Sequence, residues 1–128
     1  MLETGIKGHV EFLAEESGSA KTMESGALEV LATPKMIAML EKAAWESVQP
    51  YLEEGCGTVG TKMDVTHDAA TPLGMKVVCE SELIQIEGKK LTFNVKAFDE
   101  KGHIGGGLHE RFIVNNEKFQ TKTDAKLK

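Results

Sequence analysis

Glu41 and His67 are the two residues whose types and placement point to shared chemistry. Between Thr33 and Leu52, the helical angle puts Ile37, Leu40, Ala44, Val48 and Tyr51 on one apolar side, flanked by Met36, Ala43, Trp45 and Leu52. Lys35, Lys42, Glu46 and Gln49 fall opposite, on a face suited to water. Glu41 falls inside the apolar arc, where a carboxylate is costly to bury unless it is paired, protonated or used. Further along, Val59, Thr61, Met63, Val65 and His67 alternate with Gly60, Lys62, Asp64 and Thr66, so a strand would turn His67 inward with its apolar residues. An inward acid and an inward imidazole in one cavity suit general acid–base or nucleophilic acyl chemistry. The carboxylate attacks or activates water, and the imidazole handles protons near neutral pH.

Plainer readings stand beside these. Glu41 could snorkel to water or pair structurally with a lysine or arginine, and a single histidine at a strand end is commonly a satisfied structural group. Thr33 reads as a helix N-cap with Pro34 at the first helical position, its hydroxyl then used by backbone N–H groups. Arg111 would neutralise a buried carboxylate or a ligand phosphate, or lie on the surface. His103 and His109 are spaced for one strand face, but without a third ligand they do not make a metal site, and none is expected.

The elements that must position these residues follow from periodicity. A first strand runs from Gly8 to about Glu16, and Ser17-Gly18-Ser19-Ala20 breaks it. Lys21 to Ala32 lacks clear periodicity and reads as a short helical turn or a flap over whatever Glu41 faces. The long helix fades near Tyr51-Leu52, and Gly55 and Gly57 mark its exit. Strands follow over 59–67, Met75 to Ile86, a stretch with Leu91, Phe93, Val95 and Ala97 on one face, and His103 to Val114. Glu87-Gly88-Lys89-Lys90 is a hairpin-type connection. The three glycines at 105 to 107 indicate a bulge, or a close approach by another backbone or a ligand. Four consecutive antiparallel strands after one long central helix imply an α+β fold in which a curled sheet wraps around that helix. Such a sheet leaves an edge strand, often closed by edge-to-edge dimerisation.

At 128 residues the chain fits one domain, 1–128, able to bury a real core. A formal charge of −5 argues against a general nucleic-acid binder, which needs clustered cations. Lys118, Lys122, Lys126 and Lys128 make a basic end, read as a solvated, poorly ordered terminus. No apolar run is long enough to span a membrane, and the start lacks a basic stretch leading into an apolar one, so a cytoplasmic location is expected. Cys56 and Cys79 lack metal-type spacing and are expected as free thiols.

Several segments together resemble the hotdog-fold thioesterases of the fluoroacetyl-CoA thioesterase type. They are Ala32-Thr33 with Met36, Leu40 and Glu41-Lys42-Ala43; Thr58-Val59-Gly60-Thr61; Val65-Thr66-His67-Asp68-Ala69-Ala70-Thr71-Pro72; Ile104-Gly105-Gly106-Gly107 with His109-Glu110-Arg111; and Lys118-Phe119. The likeness runs from about residue 30 onward with near-identical spacing. It implies a hotdog fold, catalytic roles for Thr33, Glu41 and His67, and substrate contacts from Gly60 and Arg111. It also implies a homodimer with the site near the subunit boundary, leaving a tetramer open. Glu41 would attack the thioester carbonyl or activate water, His67 would manage protons, and Thr33 would position the glutamate or the substrate carbonyl. Backbone N–H groups near Gly60 would hold the developing oxyanion. The family's flap carries phenylalanines just before the threonine, whereas Glu24 to Leu31 here holds no aromatic residue.

The expected function is therefore hydrolysis of a small acyl-CoA to a carboxylate and free coenzyme A. No cofactor is expected beyond the coenzyme A of the substrate. The alternatives are a non-catalytic module that binds acyl-CoA or a similar small ligand, and a dimerising domain in which the Glu41–His67 pair only stabilises the core.

Overall fold

The computed structural model describes residues 1–128. Strand β1 covers Lys7–Leu13, helix α1 Thr33–Val48, and strands β2 to β5 cover Cys56–His67, Lys76–Glu87, Lys90–Asp99 and Gly102–Asn115. A second helix, α2, follows at Asn116–Asp124. The five strands form one antiparallel sheet in the order β1-β3-β4-β5-β2. The expected run of four strands is thus a three-strand meander, β3-β4-β5. β2 leaves chain order to pair with β5, so the loop after His67 must cross to the far side of the sheet. Hairpin periodicity cannot reveal that crossing, because β2 looks alike whichever neighbour it takes.

The sheet curls around α1. Met36, Leu40, Ala43, Ala44 and Val48 are buried against Val77, Leu83, Leu91, Phe93 and Val95. Phe93 is fully buried, and cutting it to alanine would cost about 3–5 kcal/mol. The buried arc of α1 is rotated from the expected one. Ile37 is only partly buried, and Trp45 and Tyr51 keep 39% and 46% of their surface exposed. Thr33, Ile37 and Glu41, spaced four apart, therefore form a stripe at the edge of the core rather than its centre.

Glycines allow the tight curl. A Cβ on Gly107 would strike the Asp64 carbonyl, and one on Gly106 would come within 2.5 Å of the Val95 carbonyl. The close approach anticipated for this triplet is to the backbones of β2 and β4. A register shift where Ala97 pairs Gly105 but Phe98 pairs His103 puts one extra residue, Ile104, into β5. It turns His103 outward onto Phe98 while His109 is buried, so the two histidines do not share a face.

The flap region opens on a single hydrogen-bonded turn, in which the Met23 N–H donates to the Ser19 carbonyl at 3.0 Å, and it does not continue into a helix. It is an irregular loop tied down by bridges of Ser19 to Leu31 and Val30 to Pro72. At the chain end, α2 occupies the stretch expected to be poorly ordered. Asn115 caps it, accepting a hydrogen bond from the Lys118 N–H at 3.0 Å.

Candidate active site

Helix α1 begins with Ala32 at the cap position, and no side chain caps it. Thr33 is the first helical residue, and its hydroxyl is turned sideways to Nδ1 of His67, 2.7 Å away. The capping role expected for Thr33 is not the one it plays. Nε2 of His67 is buried without a protein partner. Thr33 and His67 line a cavity of about 250 Å³ beneath the flap, with Ala20, Val30, Leu31 and Ala70 among its walls. The positive end of the α1 dipole opens beside this cavity, which favours negative charge developing there.

Two turns further along the stripe stands Glu41. Its side chain is 40% exposed, so it lies at the rim of the core and can meet a solute. Its Oε2 is 3.8 Å from NH1 of Arg111, itself buried on β5. Arg111 donates from Nε to Thr58 Oγ1 at 2.7 Å and from NH2 to the Thr58 carbonyl at 3.0 Å. NH1 also reaches Nε2 of His109 at 3.1 Å. Burial lowers the pKa of Arg111 from its ordinary value, and the Glu41 carboxylate opposes that shift.

Gly60 lies directly across from Glu41, paired with Arg111 in the β2–β5 ladder. A Cβ there would sit 2.9 Å from Glu41 Oε2 and 3.3 Å from Arg111 NH1. Strict alternation would have turned Gly60 away from the helix. A register shift between Gly60 and Lys62 makes Thr61 the extra residue and reverses the parity of everything before it. Gly60 and Thr58 consequently face inward with Met63, Val65 and His67, while Val59 and Thr61 face out.

All five residues singled out from the sequence thus border one seam between α1 and β2, at two stations. Thr33 and His67 form one; Glu41, Gly60 and Arg111 form the other. No hydrogen bond or ion pair joins Glu41 to His67, and the helical rise from Thr33 to Glu41 is about 12 Å. Helical side chains lean towards the N-terminus, which shortens that gap from the Glu41 side. Two members were not singled out for this site: Thr58, which anchors Arg111, and His109. The one sequence signal for His109 was its two-residue spacing from Arg111 on the same strand face.

A curled antiparallel sheet around one helix, with an acid and a threonine-held imidazole along the seam, defines a hotdog domain of the thioesterase kind. Residues 14–117 match the family described as fluoroacetyl-CoA-specific thioesterase. A fluoroacetyl-CoA thioesterase of Streptantibioticus cattleyicolor is 44% identical over 98 residues, spanning 77% of this chain and 70% of that protein. The crystal structure of the fluoroacetyl-CoA thioesterase FlK superposes with a TM-score of 0.93 at 34% identity, covering 98% of both chains. A mutant of FlK has been solved in complex with acetyl-CoA, with a TM-score of 0.92 over 98% of both chains at 34% identity. A thioesterase-superfamily protein of Thermus thermophilus is 26% identical with a TM-score of 0.88, over 98% of this chain and 93% of that one. The chain belongs to the fluoroacetyl-CoA-specific thioesterase family.

Proposed function

We propose that this protein hydrolyses short acyl-CoA thioesters to the carboxylate and free coenzyme A, with Glu41, His67 and Thr33 as its catalytic residues. The observation that carries this reading is the single helical stripe presenting Thr33, engaged with His67, and a half-exposed Glu41 beside a buried arginine. Glu41 attacks the thioester carbonyl or activates the water that does, and His67 delivers a proton to the departing thiolate through its unpartnered Nε2. Thr33 positions His67, rather than the glutamate. Gly60 leaves room for the Glu41–Arg111 pair and for a substrate, and its N–H is available to the oxyanion. Coenzyme A enters as part of the substrate. The acid, the imidazole and the guanidinium supply the groups that thioester hydrolysis calls for.

The modest cavity beneath the flap, walled by small side chains, favours a short acyl group. The functional unit in this reading is a homodimer. β2, twelve residues long, is an edge strand with Thr61, Lys62, Asp64 and Thr66 exposed, which suits pairing with a second copy. Sedimentation should return twice the chain mass of 13.9 kDa. A cytoplasmic setting fits two unpaired cysteines, and no helix is long and apolar enough to cross a membrane.

Thiol release across acetyl-, fluoroacetyl-, propionyl- and longer acyl-CoA esters tests the function. Turnover should be greatest for the small acyl groups, and Glu41→Gln and His67→Ala should each abolish it in folded protein. Tight acyl-CoA binding without thiol release would establish a binding module instead.

A further inference from the structure

We propose that His109 is a positioning residue of this active site: a neutral imidazole, protonated on Nδ1, whose Nε2 accepts a hydrogen bond from Arg111 and so holds the guanidinium against Glu41. The catalytic part of the proposal rests on the thioesterase reading above.

The tautomer follows from the partners. Nδ1 lies 2.8 Å from the Lys62 carbonyl, which can only accept, so Nδ1 carries the proton. Nε2 lies 3.1 Å from NH1 of Arg111, which can only donate, so Nε2 carries the lone pair. His109 is 1% exposed, and the Phe93 ring lies against it at a centroid distance of 6.1 Å, which limits rotation. Neither nitrogen is free for a substrate, so whatever His109 does is done through Arg111.

Arg111 needs this support. Thr58 holds the Nε–NH2 edge of the planar guanidinium, and NH1 on the other edge still moves as the plane pivots about the held one. Glu41, at 3.8 Å, is too far to fix NH1 alone, and His109 supplies the short second contact. The charged groups around His109 are Arg111 and Glu110 on its own strand and Glu41 from α1; from β2, Lys62 contributes its carbonyl. Burial chiefly lowers the His109 pKa below its ordinary value and Arg111 adds to this, against the Lys62 carbonyl and the two glutamates. A second proton would set one N–H against another and break the clamp.

Imidazole 15N NMR of the full chain, assigned by comparison with His109→Gln, tests the tautomer without reference to activity. One histidine should show a protonated Nδ1 and an unprotonated Nε2 at pH 7, and keep that pattern well below the ordinary histidine midpoint of about 6.5. A protonated Nε2 at that pH overturns the proposal. The activity arm compares two amides. In His109→Gln the amide oxygen reaches the Nε2 position and accepts from Arg111; kcat should stay within about threefold of the parent. In His109→Asn the shorter amide keeps the bond to Lys62 but cannot reach Arg111. There kcat should fall about tenfold or more with little change in Tm, and adding it to Arg111→Gln should cause no further loss. Equal activity in the two amide variants, or losses that track Tm, overturns the positioning role. If the parent protein releases no thiol from any acyl-CoA, the thioesterase reading fails, while the NMR result still decides the Arg111–His109 clamp.

Discussion

The Thr33 hydroxyl lies 2.7 Å from Nδ1 of His67, thirty-four residues further along the chain. That contact joins the first residue of the helix to the last residue of the edge strand, and it removes Thr33 from helix capping. An N-cap threonine has non-helical backbone and turns its hydroxyl back on its own helix. Thr33 stands one position inside and reaches across the seam instead.

The cost of changing Thr33 should therefore appear in rate and not in stability. Thr33→Ser keeps the hydroxyl and should retain most activity. Thr33→Val should lower kcat about tenfold, because one hydrogen bond to His67 is lost. Thermal unfolding of the valine variant should show less than about 0.5 kcal/mol of destabilisation, where loss of a true cap would cost about 1 kcal/mol.

Gly60→Ala separates packing from chemistry in another way. The added methyl would meet the tip of a half-exposed carboxylate 2.9 Å away, which can swing aside, and Arg111 NH1 at 3.3 Å, which need shift only by a few tenths of an ångström. Tm should shift by less than about 3 °C. Displacing Glu41 by even part of an ångström should reduce kcat at least about tenfold. Steady-state kinetics and a melting curve on the same sample check both parts.

Stability should depend on pH through His109. Its folded-state pKa is lowered below the ordinary 6.5, chiefly by burial, so near that pH the unfolded chain binds more protons than the folded one. Stability is then insensitive to His109 above about pH 7.5 and falls as pH drops through 6.5 towards the lower folded value. The slope is at most about 1.4 kcal/mol per pH unit from this one group. Melting curves from pH 8 to 5 should show a drop for the parent that is reduced in His109→Gln.

The two cysteines should behave differently towards a disulfide reagent at neutral pH. Cys56 is partly exposed, whereas Cys79 is fully buried and burial pushes its pKa up to about 12. Relative to its ordinary 9.0, that leaves Cys79 about a thousandfold less thiolate. A colorimetric thiol count should give one rapidly reacting group in native protein and two after denaturation.

Much of this architecture was legible residue by residue. The helix from Thr33 to Val48 was marked by Pro34 and its apolar spacing, and Leu91, Phe93, Val95 and Ala97 declared an inward strand face. His67 pointed inward as its parity required. Gly60 did not follow its parity, because one extra residue at Thr61 reverses the alternation and the backbone pattern carries no mark of it. His109 stood in view as one of two histidines on a strand. The extra residue Ile104 in β5 separated it from His103 and left it beside Arg111.

The sequence by itself determined which elements form and which faces are apolar, because helical and strand periods are local properties of side-chain order. It also marked Glu41 as an acid out of place among apolar neighbours. Only the tertiary structure decided that β2 pairs with β5, that Thr33 serves His67, and that a buried arginine clamped by Thr58 and His109 faces Glu41. Those choices depend on register and long-range closure, where a shift of one residue turns every following side chain to the opposite face.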